Sequence, residues 1–120
     1  MKLRAHIDAD LSREQLEELA NRLTNKRREL VTRLDDLEQQ IVVRDDCSIA
    51  DAADAASLQE SRLRASGMVE QHRLTIAEID SALRRLENGS YGISEVSGEP
   101  ISFDRLVLVP WVRTGVDEQV

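Results

Sequence analysis

The chain has 120 residues, of which 41% are hydrophobic, 32% are charged and only 2% are aromatic, and its formal net charge at pH 7 is -7. So few aromatic side chains cannot supply the buried area of a broad globular core, whereas long amphipathic helices need only a narrow apolar stripe. The negative charge weakens attraction to nucleic-acid phosphates, and we expect no direct sequence-specific DNA binding.

Membrane insertion and disulfide bonding are also disfavoured by the sequence. It has no run of eighteen apolar residues that would span a bilayer, and its first ten residues lack the apolar stretch of a signal peptide. The single cysteine, Cys47, cannot form an intramolecular disulfide, which is typical of a reducing compartment. We therefore expect a cytoplasmic protein that does not bind a membrane and in which Cys47 has no special role.

Two apolar stripes with a seven-residue spacing predict two long helices. Ser12 and Gln15 form a capping-box pattern at the start of the first helix. Leucines then recur every seven residues, at Leu16, Leu23, Leu30 and Leu37. The second stripe contains Leu58, Ala65, His72, Ile79 and Leu86. It ends at Asn88-Gly89, because glycine readily adopts the left-handed conformation that ends helices.

The sequence divides into three predicted parts. Residues 1–11 form an N-terminal segment, in which residues 1–7 alternate polar and apolar side chains, and the segment is expected to pack on the C-terminal part. Residues 12–88 are expected to form an antiparallel coiled-coil hairpin with its tip at about residues 44–54, because neither stripe can be buried by its own helix. In residues 89–120, turn residues and the apolar run 106–109 predict a small two-stranded or irregular lobe. The fold class is therefore mainly α.

Eight residues of the lobe follow a recognisable spacing: Gly89, Tyr91, Gly92, Gly98, Ile101, Arg105, Leu106 and Pro110. They resemble the non-cysteine signature of the zinc finger in the DksA/TraR family of RNA-polymerase-binding regulators. The positions of the family's four zinc-binding cysteines hold other residues: Ser94, Ser97, Gly115 and Glu118. The resemblance therefore implies a finger-like lobe with no metal and no other cofactor.

Loss of a structural zinc ion removes on the order of 10 kcal/mol of folding free energy from a small module, so other interactions must replace it. The apolar side chains that we expect to take over this role are Phe103, Leu106, Leu108, Val109, Trp111 and Val112. This hypothesis assigns the stability of the lobe to hydrophobic packing.

The stretch between the two helices carries a second match to the same family. Asp51, Asp54 and Ala56 fit the Asp-x-x-Asp-x-Ala motif that the family carries at its coiled-coil tip. The resemblance implies that the hairpin enters the secondary channel of RNA polymerase and that the tip modulates initiation without being an enzyme. An alternative from the residues alone is that Asp51 caps the second helix and Asp54 interacts with its dipole, and both roles can hold together.

Positive charge is concentrated on the first helix, at Arg22, Lys26, Arg27, Arg28 and Arg33. The commoner meaning of such a cluster is a solvated flank of a coiled coil, and the alternative is a contact with an acidic polymerase surface. Well-studied family members also bind ppGpp through basic residues near the junction of hairpin and finger. Glu78 and Val109 occupy those positions here, so we do not expect ppGpp to bind directly at this site.

The leading hypothesis is thus a non-catalytic transcription regulator whose partner is RNA polymerase. Ser94 and Ser97 have no histidine nearby in sequence, and His72 lies on the second apolar stripe, so neither a nucleophilic nor a metal site is indicated. Because the two helices of the hairpin bury each other's apolar stripe, we expect a monomer. A coiled-coil structural or chaperone-like adaptor, which would pair through its leucines, is the alternative.

Overall fold

The computed structural model describes the backbone of residues 3–45 and 52–115 and the side chains of residues 3–41 and 56–115. These ranges contain three helices: α1 (Arg13–Asp45), α2 (Ala52–Asn88) and α3 (Phe103–Leu108). They contain no strand, but two isolated bridges join Ala5 to Tyr91 and Ile93 to Pro100. The predicted mainly helical class is therefore confirmed. No helix in the described ranges combines the length and the apolar character needed to cross a membrane.

The predicted helix ends at Ser12 and Gly89 are confirmed. The amide of Ser12 donates to Oε1 of Gln15 at 2.9 Å, and the amide of Gln15 donates to Oγ of Ser12 at 3.2 Å. This capping box satisfies amides that lack a partner within the first turn of α1. At the end of α2, Gly89 has a φ of 82°, and its amide donates to the carbonyl of Arg85 at 3.0 Å. The left-handed glycine thus ends α2 as expected.

The chain folds into two compact units, one of residues Met1–Arg27 and Ala77–Val120 and the other of residues Arg28–Ile76. In both, apolar side chains of α1 and α2 are buried, and they include members of the two predicted stripes such as Leu23 and Ile79. The residues of α1 and α2 that are fully buried in the first unit are Leu19, Leu23, Ile79, Ala82 and Leu86. Buried residues of the second unit include Leu30 and Val69.

One ion pair in each unit shows that α1 and α2 are antiparallel. In the first unit, Nε of Arg27 lies 2.7 Å from Oδ1 of Asp80, and this bond raises the pKa of Arg27. In the second, Nη2 of Arg73 lies 2.5 Å from Oε1 of Glu38. Residues further along α1 therefore face residues earlier in α2, which is the arrangement of a helical hairpin.

The N-terminal segment is bonded to the end of α2 and to the start of the lobe. The amide of Arg4 donates to the carbonyl of Leu86 at 2.7 Å, and the amide of His6 donates to the carbonyl of Tyr91 at 2.8 Å. The segment then passes so close to Gly92 that a Cβ there would lie 2.9 Å from Cβ of Ala9. Backbone bonds and close packing thus join this segment to the lobe.

Helix α3 was not predicted from the sequence. Ser102 caps it, because its Oγ accepts from the amide of Arg105. Successive helical positions are rotated by about 100°, so Leu106 and Leu108 lie on nearly opposite faces. Leu106 is fully buried, whereas Leu108 is 80% exposed.

The exposure of Leu108 corrects the expectation that all six apolar residues of this region would replace the metal by packing. Only Leu106 is fully buried, and the remaining four are half-buried: Phe103, Val109, Trp111 and Val112. The core of the lobe instead combines Leu106 with two residues outside the apolar run, Tyr91 and Ile101. A helical turn can bury only one side of an alternating apolar sequence, which explains the difference.

Candidate functional site

The tip predicted at about residues 44–54 overlaps the end of α1, which ends at Asp45, and the start of α2, which begins at Ala52. Cys47 and Asp51 lie outside the described residues. The backbone of Asp54 is in the first turn of α2, and its side chain lies outside the described part of the structure. Ala56, one half-turn later, is exposed. A regulatory role for the three motif residues stays a prediction.

The ion pairs between α1 and α2 identify the residues that lie halfway, along the sequence, between the two partners of each pair. The midpoint in sequence between Arg27 and Asp80 falls between residues 53 and 54. That between Glu38 and Arg73 falls between residues 55 and 56. Both midpoints lie within or beside the Asp-x-x-Asp-x-Ala motif, which spans residues 51–56.

The predicted basic cluster on α1 is largely paired with acidic side chains. Besides the Arg27–Asp80 pair, two ion pairs connect residues one turn apart: Nη2 of Arg22 is 3.1 Å from Oε1 of Glu18, and Nη2 of Arg33 is 2.7 Å from Oε1 of Glu29. Of the two other members, Arg28 is exposed and Lys26 is half-buried. Each exposed ion pair contributes only about 0–1 kcal/mol to stability, so an acidic group of another molecule can replace the present acidic partner of these arginines.

His72, interpreted from the sequence as a core histidine, is half-buried on α2. Its Nε2 is inaccessible to solvent and has no hydrogen-bond partner within the described ranges. Together with Leu37 and Met68 it lines an open groove of about 310 Å³ within the second unit. None of the groove's other lining residues completes a metal site, since no cluster of three His, Cys, Asp or Glu residues in the described part of the chain could hold an ion.

At the first position of the family's metal site, a serine hydroxyl organises a tight turn. Oγ of Ser94 accepts from the amides of Val96 at 3.1 Å and Ser97 at 3.3 Å. The amide of Gly98, whose φ is 74°, donates to the carbonyl of Ser94, and the amide of Ser94 donates to the carbonyl of Glu99. The turn around residues 94–98 is therefore held by its own hydrogen bonds.

The residues at the four cysteine positions do not fit a zinc ion. Zinc in structural sites is bound by thiolates and imidazoles, and four ligands complete its tetrahedron. Ser94 and Ser97 offer neutral hydroxyls, and Gly115 offers no side chain at all. Glu118 lies outside the described residues. With no thiolate or imidazole in this set, metal binding does not explain the stability of the lobe.

A buried tyrosine and a buried arginine lie beneath the C-terminal part of the lobe. The hydroxyl of Tyr91 donates to the carbonyl of Pro110 at 2.7 Å, and Nη2 of Arg85 donates to the carbonyl of Trp111 at 3.3 Å. The Arg85 guanidinium also lies 5.9 Å from the centroid of the Tyr91 ring, a cation–π distance. Burial raises the pKa of Tyr91, and burial together with the nearby Arg113 lowers the pKa of Arg85.

Sequence reasoning missed Arg113, whose guanidinium group donates hydrogen bonds to several side chains. Its Nε donates to Oε2 of Glu78 at 2.8 Å, and its Nη2 donates to Oε1 of the same carboxylate at 3.2 Å. These bonds raise the pKa of Arg113. The resemblance described above predicts that Glu78 occupies a position where ppGpp-binding members of the family carry a basic residue. An acidic residue at this position was the one indication in the sequence that Glu78 pairs with a basic side chain, which the structure identifies as Arg113.

Known proteins resemble this chain in part. No family model matches the sequence. It is 43% identical over 70 residues to the RNA polymerase-binding transcription factor DksA of Caulobacter vibrioides, covering 58% of this chain and 49% of that protein. It is 33% identical over 67 residues to general stress protein 16O of Bacillus subtilis, covering 56% of this chain and 41% of that protein. The matches therefore span less than half the length of these curated relatives.

A solved structure resembles most of the chain. Transcription factor DksA2 from Pseudomonas aeruginosa matches with a TM-score of 0.79 and 30% sequence identity. The match covers 88% of this chain and 81% of that structure. At this identity and coverage, this protein belongs to the DksA-like family.

Proposed function

We propose that this protein is a non-catalytic bacterial transcription regulator that acts in the cytoplasm by binding RNA polymerase. In this proposal the tip of the hairpin enters the secondary channel of the polymerase and modulates initiation. The name of the Caulobacter relative describes an RNA polymerase-binding transcription factor, and the fold likeness to DksA2 supports the same class for this chain.

The pairing of α1 with α2 is the observation that carries the proposal furthest. Two ion pairs, one in each unit, have sequence midpoints between residues 53 and 56. In an antiparallel hairpin the residues at such midpoints belong to the end where the chain reverses. This supports a tip that carries Asp51, Asp54 and Ala56.

The chemistry of these residues suits insertion into a narrow channel. Small alanines surround the two aspartates, so the carboxylates can approach another surface closely. Opposite charges on the tip and on the wall of a channel that admits nucleotides would steer docking. The tip needs no catalytic group for this role, because it would act by displacing or restraining moving parts of the polymerase.

The basic cluster is a secondary candidate for polymerase contact. An acidic surface of the polymerase would have to compete with the acids that already pair with Arg22, Arg27 and Arg33. Exposed pairs are weak enough for such an exchange, and Arg28 is exposed as well. We assign this cluster a contribution to docking and not to the regulatory effect.

We also propose that ppGpp does not bind at the position that Glu78 occupies. The Glu78 carboxylate already accepts two bonds from Arg113. A polyphosphate would meet the charge of this acid and would have to displace it from the arginine. Regulation by this protein is therefore expected to be independent of ppGpp at this site.

The test compares wild type with Asp54→Asn in two assays, capture of purified core RNA polymerase and transcription from a set of promoters in vitro. The expected result is that Asp54→Asn still binds polymerase but loses most of the effect on transcription. Asp35→Asn removes the same charge at an exposed position of α1 and should retain both properties. Failure of the wild-type protein to bind polymerase would refute the proposal.

An adaptor function is the second candidate, and one observation favours it. Leu63 and Leu74 on α2 are 64% and 60% exposed, and eleven residues of helix bring them back to nearly the same face. Such a face could pair with another helix. Sedimentation analysis separates the two functions, because the regulator is expected to be a monomer whereas an adaptor of this kind is expected to dimerise, and Leu63→Gln should then abolish the dimer.

A further inference from the structure

The last described part of the lobe, residues 110–114, is held mainly by its backbone carbonyl groups. We name these residues the C-terminal segment. Four of its carbonyls accept a hydrogen bond from elsewhere in the lobe or from α2: Pro110 from Tyr91, Trp111 from Arg85, Arg113 from the amide of Glu95, and Thr114 from Arg105. The donors are a buried hydroxyl, two guanidinium groups and one amide. These four hydrogen bonds attach the segment to the rest of the unit.

The side chain of Arg113 extends this attachment in the opposite direction, from the segment to its surroundings. Its guanidinium forms a two-pronged bond with Glu78 on α2, and its Nη2 also donates to Oγ of Ser81 at 3.0 Å. Its Nη1 donates to Oε1 of Glu95 at 3.2 Å. Arg113 therefore joins three parts of the unit, namely α2, the turn that contains Glu95 and the C-terminal segment.

The positions of these residues correspond to the metal site that the chain lacks. Glu95 follows Ser94, the first cysteine position, and Arg113 comes two residues before Gly115, the position aligned with the second cysteine pair. A zinc ion would connect these same two stretches of chain. The bonds of Arg113 to Glu95, through both the side chain and the carbonyl, connect them instead.

We propose that Arg113, with Glu78 and Glu95, replaces the structural zinc ion as the crosslink of the lobe. The planar guanidinium suits this role, because its several N–H donors bind carboxylates in fixed directions and can bridge more than two groups. Hydrophobic packing alone does not supply the connection, since Leu108 is exposed and only Leu106 of the apolar run is fully buried. The proposal concerns folding, so it does not depend on polymerase binding.

The charges around Arg113 are balanced within the same unit. Arg85 and Arg113 carry two positive charges, and Glu78 and Glu95 carry two negative ones. The proximity of Arg113 is one of the causes that lower the pKa of Arg85, while both glutamates raise it. Removing either glutamate would leave the two arginines repelling each other, so the crosslink depends on both acids.

The experiment uses Trp111, the chain's single tryptophan, which lies in the C-terminal segment. Its fluorescence reports attachment of the segment, and far-UV circular dichroism reports the helices during the same denaturant titration. The variant Arg113→Met keeps the length of the side chain but loses its bonds, and Arg113→Lys keeps only the charge. Arg22→Met, which breaks a one-turn pair on α1, is the matched control.

The expected result is an increase of about tenfold in the population with the segment detached in Arg113→Met, equivalent to about 1.4 kcal/mol. The Trp111 transition should then precede the helical transition. Arg113→Lys should show a smaller change because an ammonium group cannot bind Glu78 in two-pronged fashion. Arg22→Met should leave both transitions together, and a metal chelator should change neither transition of the wild-type protein.

Two outcomes would overturn the proposal: unchanged Trp111 emission and midpoint in Arg113→Met, or destabilisation of the wild-type protein by the chelator. If Arg113→Met does not fold, Glu95→Gln provides a milder test, because it removes one charge and keeps the backbone bond to the carbonyl of Arg113. Its Trp111 transition should also shift to lower denaturant, and an unshifted transition would count against the crosslink.

Discussion

Removing one oxygen atom, in the variant Tyr91→Phe, tests how the lobe is held together. Tyr91 is fully buried, and its hydroxyl donates to the carbonyl of Pro110 at 2.7 Å. Phenylalanine keeps the ring and its contact with Arg85, so the substitution isolates the hydroxyl. A buried carbonyl that loses its donor costs about 1–3 kcal/mol. We expect the free energy of unfolding to fall by this amount.

The same residue predicts how stability depends on alkaline pH. Burial raises the pKa of Tyr91 above its ordinary value of about 10, so the folded state keeps a proton that the unfolded state loses. Protonated Tyr91 therefore makes its full contribution to the free energy of unfolding below about pH 10, and this contribution is lost as the pH rises toward the folded-state pKa. In that window stability should fall by about 1.4 kcal/mol per pH unit.

The assay is denaturant unfolding of wild type and Tyr91→Phe between neutral pH and about pH 11. Few other side chains titrate in this range, because the chain has one tyrosine, one cysteine (Cys47) and only two lysines, Lys2 and Lys26, among its sixteen lysine and arginine residues. Thr32→Val, which removes an exposed hydroxyl from α1, is the control and should change stability by less than about 0.5 kcal/mol. An alkaline slope that is the same in wild type and Tyr91→Phe would refute the reasoning.

Four further substitutions probe the glycines and the interhelical contacts, each measured by thermal and denaturant unfolding. Gly92→Ala should destabilise the fold by at least about 1–2 kcal/mol, because φ is 93° and the new Cβ would lie 3.0 Å from Leu11. Gly67→Ala, at an open helical position, should stabilise it by about 0.5–1 kcal/mol. If both substitutions changed the free energy of unfolding in the same direction, this reasoning would be wrong. Leu23→Ala should cost about 2–5 kcal/mol because Leu23 is fully buried, and a loss below 1 kcal/mol would argue against the packed hairpin. Arg27→Met should cost less than about 1 kcal/mol, since its pair with Asp80 is exposed, and a larger loss would show that this pair is not an ordinary surface ion pair.

The hairpin could be predicted from the sequence because its rules are local. Heptad leucines identify the apolar face, and the Ser12–Gln15 pair and Gly89 mark two of the helix ends, as the structure confirms. Helix α3 was missed because the alternating run of leucine and valine after Arg105 favours extended structure by propensity. The signals for a helix were Ser102 before the run and an acidic residue in its first turn.

The candidate site could be predicted only in part, because some of its contacts join residues that are far apart in the sequence. The tip motif was recognised by resemblance, but Arg113 was not, because its partner Glu78 lies 35 residues away in sequence. No periodicity connects two such positions, and only the folded chain brings them together. The sequence likewise did not predict that the hydroxyl of Ser94 accepts hydrogen bonds from the amides of Val96 and Ser97.

The attachment of the C-terminal segment through its backbone affects which residues of this region can be substituted during evolution. Arg85, Tyr91, Arg105 and the amide of Glu95 bind carbonyl oxygens, which every amino acid possesses. Many side chains in the segment could be exchanged without loss of these bonds, while the donors themselves could not. Divergent relatives could therefore share this attachment while showing little similarity between residues 110 and 114, and a search for it should look for the donors.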